Sequence, residues 1–112
     1  MNAEMLKGHL DNVILATLEQ GSAHGYAVIE EIRRRSGGSF NLPEGTVYPA
    51  LHRLELAGWL ASDWVTPDAG RRKRVYTLTP AGKGALKERR EGWAEFSRAV
   101  GAFLEPDKPW AA

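Results

Sequence analysis

Three observations predict a mainly α chain with one small antiparallel β-hairpin. Apolar residues recur at helical spacing through four stretches of the 112-residue sequence, the period changes to alternation after Trp59-Leu60, and one narrow apolar seam runs through the last stretch. With 43% apolar residues, a chain of this length builds one compact core and is too short for two.

The first helix is expected from about residue 4 to Gln20, with Gly21 as its stop. Met5, Leu6, Leu10, Val13, Ile14, Leu15 and Leu18, placed at about 100° per residue, cover well over half of its circumference. A single buried stripe needs less, so this helix is expected to pack on two sides. Ser22 suits the N-cap of a second helix whose face is Gly25, Val28, Ile29 and Ile32, ended by Gly37-Gly38. The "RRR" run at 33 to 35 falls in its last turn, where cations offset the negative end of the helix dipole.

The third helix lies in "LPEGTVYPALHRLELAGWL", residues 42 to 60, and starts near Pro43, whose missing donor is harmless in a first turn. Val47, Ala50, Leu51, Leu54 and Ala57 gather as its core face, and Gly58 closes it. Gly45, Pro49 and His52 gather opposite, flanked by Thr46, Tyr48 and Arg53. A proline inside a helix removes a donor and crowds the carbonyl four residues back. Here that carbonyl belongs to Gly45, on the outer face, where the defect costs least.

"LASDWV" and "RVYTLT" then read as two strands joined through "TPDAGRRK", with turn chemistry from Pro67, Asp68 and Gly70. The cations Arg71, Arg72, Lys73 and Arg74 start at the hairpin tip and run down the returning strand. Thr79-Pro80 opens the last helix as N-cap and first helical residue. In it Leu86, Trp93, Phe96, Val100 and Phe103 form an a/d seam with Gly82 and Arg89 as weak positions. A helix this long exceeds what so small a body needs, and it reads as a dimer arm on which the first helix can also pack; the other reading is a helix folded back along the body.

Composition narrows the function. There is no cysteine for a disulfide or thiolate site, no apolar run near the roughly 20 residues that span a bilayer, and no leader-like start, so a cytoplasmic protein is expected. His9, His24 and His52 lie on three different elements without metal-ligand spacing, and no glycine-rich phosphate loop is present. Catalysis, a metal and a cofactor are therefore not expected. Net charge is +1, but residues 1 to 31 carry −4, which leaves +5 on the rest.

Three helices, the third presenting small and polar residues outward, followed by a hairpin with a basic tip, is the order of a winged helix-turn-helix. In that arrangement the third helix enters the major groove of double-stranded DNA. Gly45, Thr46 and Pro49 let its backbone approach base edges, Tyr48, His52 and Arg53 reach bases or phosphates, and the hairpin cations meet the flanking backbone. The expected division is 1–79 as the DNA-binding winged helix-turn-helix, 80–104 as a dimerisation helix and 105–112 as a flexible tail. The competing class is a winged helix used for protein interaction or ligand sensing without DNA, which gives the wing cations no role.

"HGYAVIEEI", "LPEGTVYPALHRLELAGWL" and "GRRKRVYTLTPAGK" resemble, in order and spacing, the signature of the PadR family of bacterial transcriptional regulators, over about residues 5 to 104. The resemblance implies a homodimeric repressor released from a pseudo-palindromic operator by a small aromatic or drug-like ligand. Thr46, Tyr48, Pro49, His52 and Arg53 match its recognition-helix contacts, and Gly70 through Arg74 match its wing. Tyr26, at the entrance to the second helix, either touches a phosphate or only packs. The short C-terminus matches the compact branch with one arm helix, which leaves fewer residues for an effector pocket. In multidrug-sensing members of similar length a tryptophan in the arm stacks on planar ligands, and Trp93 holds the matching position. Leu10, Val13 and Phe96 would line such a pore; the other reading of Trp93 is a large seam residue packing the dimer.

Overall fold

The computed structural model describes residues 6, 8–67 and 70–110. Along the chain run α1 (Leu10–Glu19), β1 (Ala23–His24), α2 (Gly25–Arg35), α3 (Glu44–Leu56), β2 (Leu60–Val65), β3 (Lys73–Leu78) and α4 (Pro80–Leu104). The sheet is antiparallel with order β1-β3-β2. The expected two-stranded hairpin is thus a three-stranded sheet. Ala23 pairs with Tyr76 and His24 with Val75, a strand too short to leave a period in the sequence.

That pairing moves the start of α2. His24, not Ser22, is its N-cap, and its Nδ1 accepts from the Ala27 N–H at 3.3 Å. Ser22 instead shares a 2.7 Å hydrogen bond with the Thr77 hydroxyl. The expected first helix is interrupted: Leu6 is helical, a turn follows at Gly8-His9, and α1 proper begins at Leu10. Gly8 takes φ +87, and the His9 N–H donates to the Leu6 carbonyl in a turn that precedes α1. Met5, assigned to this helix from sequence, and Asp68, assigned to the hairpin turn, lie outside the described residues, as do residues 111–112 of the tail.

One core joins the elements. Ile14, Leu15 and Leu18 of α1 meet Val28, Ile29 and Ile32 of α2 and Val47, Ala50, Leu51 and Leu54 of α3. Leu60, Tyr76 and Leu78 close it from the sheet, and Leu86 closes it from α4. Fully burying an aliphatic side chain contributes roughly 1.5–3 kcal/mol, so this cluster is what holds α3 in place. Ala57, expected on the core face of α3, is instead its exposed C-cap. There the Gly58 N–H reaches the Glu55 carbonyl and the Trp59 N–H the Leu54 carbonyl, with Gly58 at φ +83, a left-handed cap that favours glycine.

The first turns of α4 belong to the body. The Thr79 hydroxyl accepts from the Gly82 N–H at 3.0 Å and donates to the Gly58 carbonyl at 2.7 Å. Gly82, read as a weak seam position, is buried because only a residue without Cβ fits there: an added Cβ would lie 2.1 Å from the Trp59 carbonyl oxygen. Arg89, the other weak position, donates to Asn12 at 2.9 Å and stacks 4.8 Å over the Trp59 ring. Beyond this anchorage Trp93, Phe96, Val100 and Phe103 remain exposed, and the chain is drawn out to 71 × 28 × 20 Å.

Candidate nucleic-acid interface

The outward face of α3 follows from burial of the inward one. With Val47, Ala50, Leu51 and Leu54 in the core, the 3.6-residue period turns Gly45, Thr46, Pro49 and His52 outward, and all are exposed. An added Cβ at Gly45 would meet nothing within 4 Å, so the backbone there is open to an approaching molecule. Tyr48 is 39% exposed, and its ring lies over Gly25 at the start of α2. Partial burial, with the Glu44 carboxylate adding to it, pushes its phenol pKa up, so the hydroxyl stays a neutral donor. Arg53 pairs with Asp11 of α1 and keeps 58% of its side chain exposed. Tyr26 stands exposed one residue beyond Gly25.

The "RRR" run sits in the last turn of α2, as expected, and is further committed. Arg33 pairs with Glu30 at 3.0 Å, Arg34 with Glu31 at 2.6 Å, and Arg35 donates to the Ala16 carbonyl at 3.4 Å. These pairs raise the pKa of both Arg33 and Arg34 through hydrogen bonds to the carboxylates.

The wing divides its cations between two faces. Opposite Leu78, Tyr76 and Arg74 on β3 stand Leu60, Ser62 and Trp64 on β2. Alternation along both strands therefore makes one face that begins in the core and continues outward on the side of α3. On that face Arg74 is engaged: its Nε donates to the Ser62 hydroxyl at 2.7 Å and its Nη2 to both Glu55 carboxylate oxygens at 3.2 Å. Ser62 also donates to Glu55, at 2.5 Å. The Ser62 bond above all holds the Glu55 carboxyl below its ordinary pKa; burial, the next largest effect, opposes it, and the Arg74 bond adds to the lowering. Trp64, 55% exposed, carries the Arg72 guanidinium 4.9 Å and the Arg74 guanidinium 5.7 Å from its ring centre. Arg71, Arg72 and Lys73 are exposed. Glu55, Ser62 and Trp64 were missed from sequence; the one available signal was Trp64, an aromatic residue on a strand beyond the end of the core.

A second feature lies where α4 leaves the body. A cavity of about 530 Å3 opens between α1 and α4, lined by His9, Val13, Ala16, Phe40, Leu86 and Trp93 among others. Trp93 meets His9 edge-on at 5.2 Å and Phe96 at 6.3 Å. Of the residues expected here, Trp93 and Val13 line the cavity, Leu10 packs against the core, and Phe96 lies beside Trp93 outside the lining. On the same side Arg90 forks onto Glu19 at 2.8 and 2.6 Å, which holds the Glu19 carboxyl below its ordinary pKa. Among the described residues no helix is long and apolar enough to cross a membrane.

A helical core whose third helix turns a polar face outward beside a three-stranded wing defines a winged helix-turn-helix domain. A transcriptional regulator from Clostridium thermocellum shares the fold at a TM-score of 0.84 and 27% identity, over 92% of this chain and 100% of that one. A PadR family transcription regulator from Clostridium difficile does so at 0.79 and 31%, over 88% and 100%. The transcriptional regulator Rv3488 of Mycobacterium tuberculosis is 40% identical over 87 residues, 78% of each protein. The sequence pattern of the PadR-like family of transcriptional regulators matches residues 14–88. This chain belongs to that family.

Proposed function

We propose that this regulator binds double-stranded DNA sequence-specifically, as a cytoplasmic homodimer on a pseudo-palindromic operator, and represses transcription until a small planar aromatic ligand releases it. The observation that carries the reading is the outer face of α3. It presents Gly45, Thr46, Pro49, His52 and part of Tyr48 to solvent beside exposed wing cations, small where a backbone must come close and long where a base or phosphate must be reached. A winged helix serving only protein contacts or ligand sensing has no use for that combination.

The arm supports the dimer. Trp93 is 52%, Phe96 56% and Phe103 89% exposed along one seam, and burying what remains exposed on a second copy contributes roughly 1–2 kcal/mol for each of the first two and roughly 1.5–3 kcal/mol for the third. The cavity beside Trp93 supports the ligand, because an apolar recess edged by arginines suits a flat molecule with a polar rim. Selection from a random duplex pool tests the reading. An inverted repeat with half-site centres about one helical turn, roughly 34 Å, apart is the expected product. A pool that returns no enriched sequence refutes it.

A further inference from the structure

The wing's four cations have unequal surroundings. Arg74, 40% exposed, spends its guanidinium on groups of the protein itself, on Ser62 and on both oxygens of Glu55, and Glu55 stands on α3. That arrangement ties the wing to the helix that faces DNA in the reading above. Lys73 pairs across from Val65, on the other face of the sheet. Arg72 lies beyond the last pair of the ladder, yet its guanidinium sits 4.9 Å over the exposed face of Trp64, on the α3 side.

A guanidinium held over an indole ring by cation–π attraction keeps N–H donors for other partners, while the ring limits its wandering. We infer that Trp64 is a positioning residue that holds Arg72 as the wing cation meeting a DNA phosphate, while Arg74 is an internal strut fixing the wing against α3. This inference rests on the DNA-binding function proposed above. Trp64 makes no claim on a base: it acts through Arg72. The side chain also lies outside the core, so its exposure has a use that packing does not supply.

The experiment is a salt titration of binding to a fluorescent mixed-sequence duplex of about 30 base pairs, read by anisotropy. Each lost phosphate contact flattens the slope of log affinity against log salt by about 0.9. Arg72→Ala is expected to flatten it by about 0.9 for each copy bound. Arg74→Gln and Glu55→Gln, at the two ends of the strut, are expected to keep the wild-type slope while lowering the melting temperature. Trp64→Ala is expected to weaken binding about two- to five-fold, the scale of an exposed cation–π contact, with most of the affinity returned in Trp64→Phe. A wild-type protein without salt-dependent binding overturns the DNA reading and this inference with it. Wild-type binding in which Arg74→Gln and Glu55→Gln lose as much slope as Arg72→Ala overturns the inference alone. So does binding by Trp64→Ala that equals wild type at every salt concentration.

Discussion

Replacing Gly82 by alanine decides whether α4 is anchored by close backbone contact or merely laid along the body. The new Cβ would lie 2.1 Å from the Trp59 carbonyl oxygen and 2.7 Å from the Leu78 Cδ1, where real Cβ contacts essentially never fall under 3.0 Å. Leu78 can turn, but the carbonyl cannot move without losing the 3.1 Å bond it accepts from the Thr79 N–H. Overpacking of this kind costs about 1–3 kcal/mol, here toward the upper end because the obstacle is backbone. Against it, alanine gains about 0.5–1 kcal/mol over glycine within a helix. The net loss is therefore about 2 kcal/mol, or roughly 8 °C in Tm at about 4 °C per kcal/mol. Gly84→Ala is the control: it stands two residues on, with nothing within 4 Å of an added Cβ, and should gain the helix term alone. Thermal unfolding followed by circular dichroism at one protein concentration separates the two by roughly 10 °C. A Gly82→Ala protein that melts at or above wild type refutes the close-contact account.

Gly25→Ala should act differently, because its new Cβ meets the Tyr48 ring, which can swing out, and not backbone. Stability should fall by less than about 1 kcal/mol, while discrimination between operator variants, measured by competition binding, should change. Replacing Arg71, Arg72, Lys73 and Arg74 together by alanine should weaken binding to all sequences and flatten its salt dependence; equality with wild type at every salt concentration counts against the wing. Planar aromatic compounds with a polar rim should quench tryptophan fluorescence in the wild type and lose most of that effect in Trp93→Ala. Glu19 and Glu55 both have folded pKa values below the ordinary 4.5. Their contribution to stability is therefore complete above pH of about 4.5 and lost as pH falls through the folded values. Thermal melts from pH 6 down to 3 should show a shallower acid decline for the Glu19→Gln, Glu55→Gln double variant.

What the sequence revealed and what it hid divide along one physical line. The inward and outward sides of α3 were readable because a single helix obeys its period whatever packs on it, and Val47, Leu51 and Leu54 mark the buried side without ambiguity. Ala57 was misplaced because the helix ends at Leu56 and Ala57 is already its C-cap, leading into the left-handed Gly58, so a wheel drawn up to Gly58 overruns by one residue. The strand Ala23–His24 was invisible because two residues show no alternation; it exists through pairing with Tyr76 and Val75, more than fifty residues on. Separation in sequence, though shorter, also hid the wing's internal wiring. Glu55 and Arg74 are 19 residues apart, and nothing in "RRKR" distinguishes the arginine that serves the fold from the one above Trp64. Gly82 shows the reverse error: an a/d pattern scores glycine as a gap, whereas the contact with Trp59 needs the gap.

The proline in α3 brings these points together. Pro49 has no N–H, so the Gly45 carbonyl lacks its partner within the helix. A buried carbonyl left in that condition costs about 1–3 kcal/mol, which the core face could not absorb cheaply. Both residues instead stand on the exposed side, and neither carries a long side chain that would cover the gap. Tyr48 and His52 flank it, the first leaning over Gly25 and so drawn toward α2. The outer face of α3 is consequently a shallow backbone window between two longer polar side chains. Filling that window by Gly45→Leu should therefore cost little in stability, since the site is open, yet reduce DNA binding at least as much as Tyr48→Ala. If Gly45→Leu binds DNA as the wild type does, the backbone of α3 does not come close to its partner.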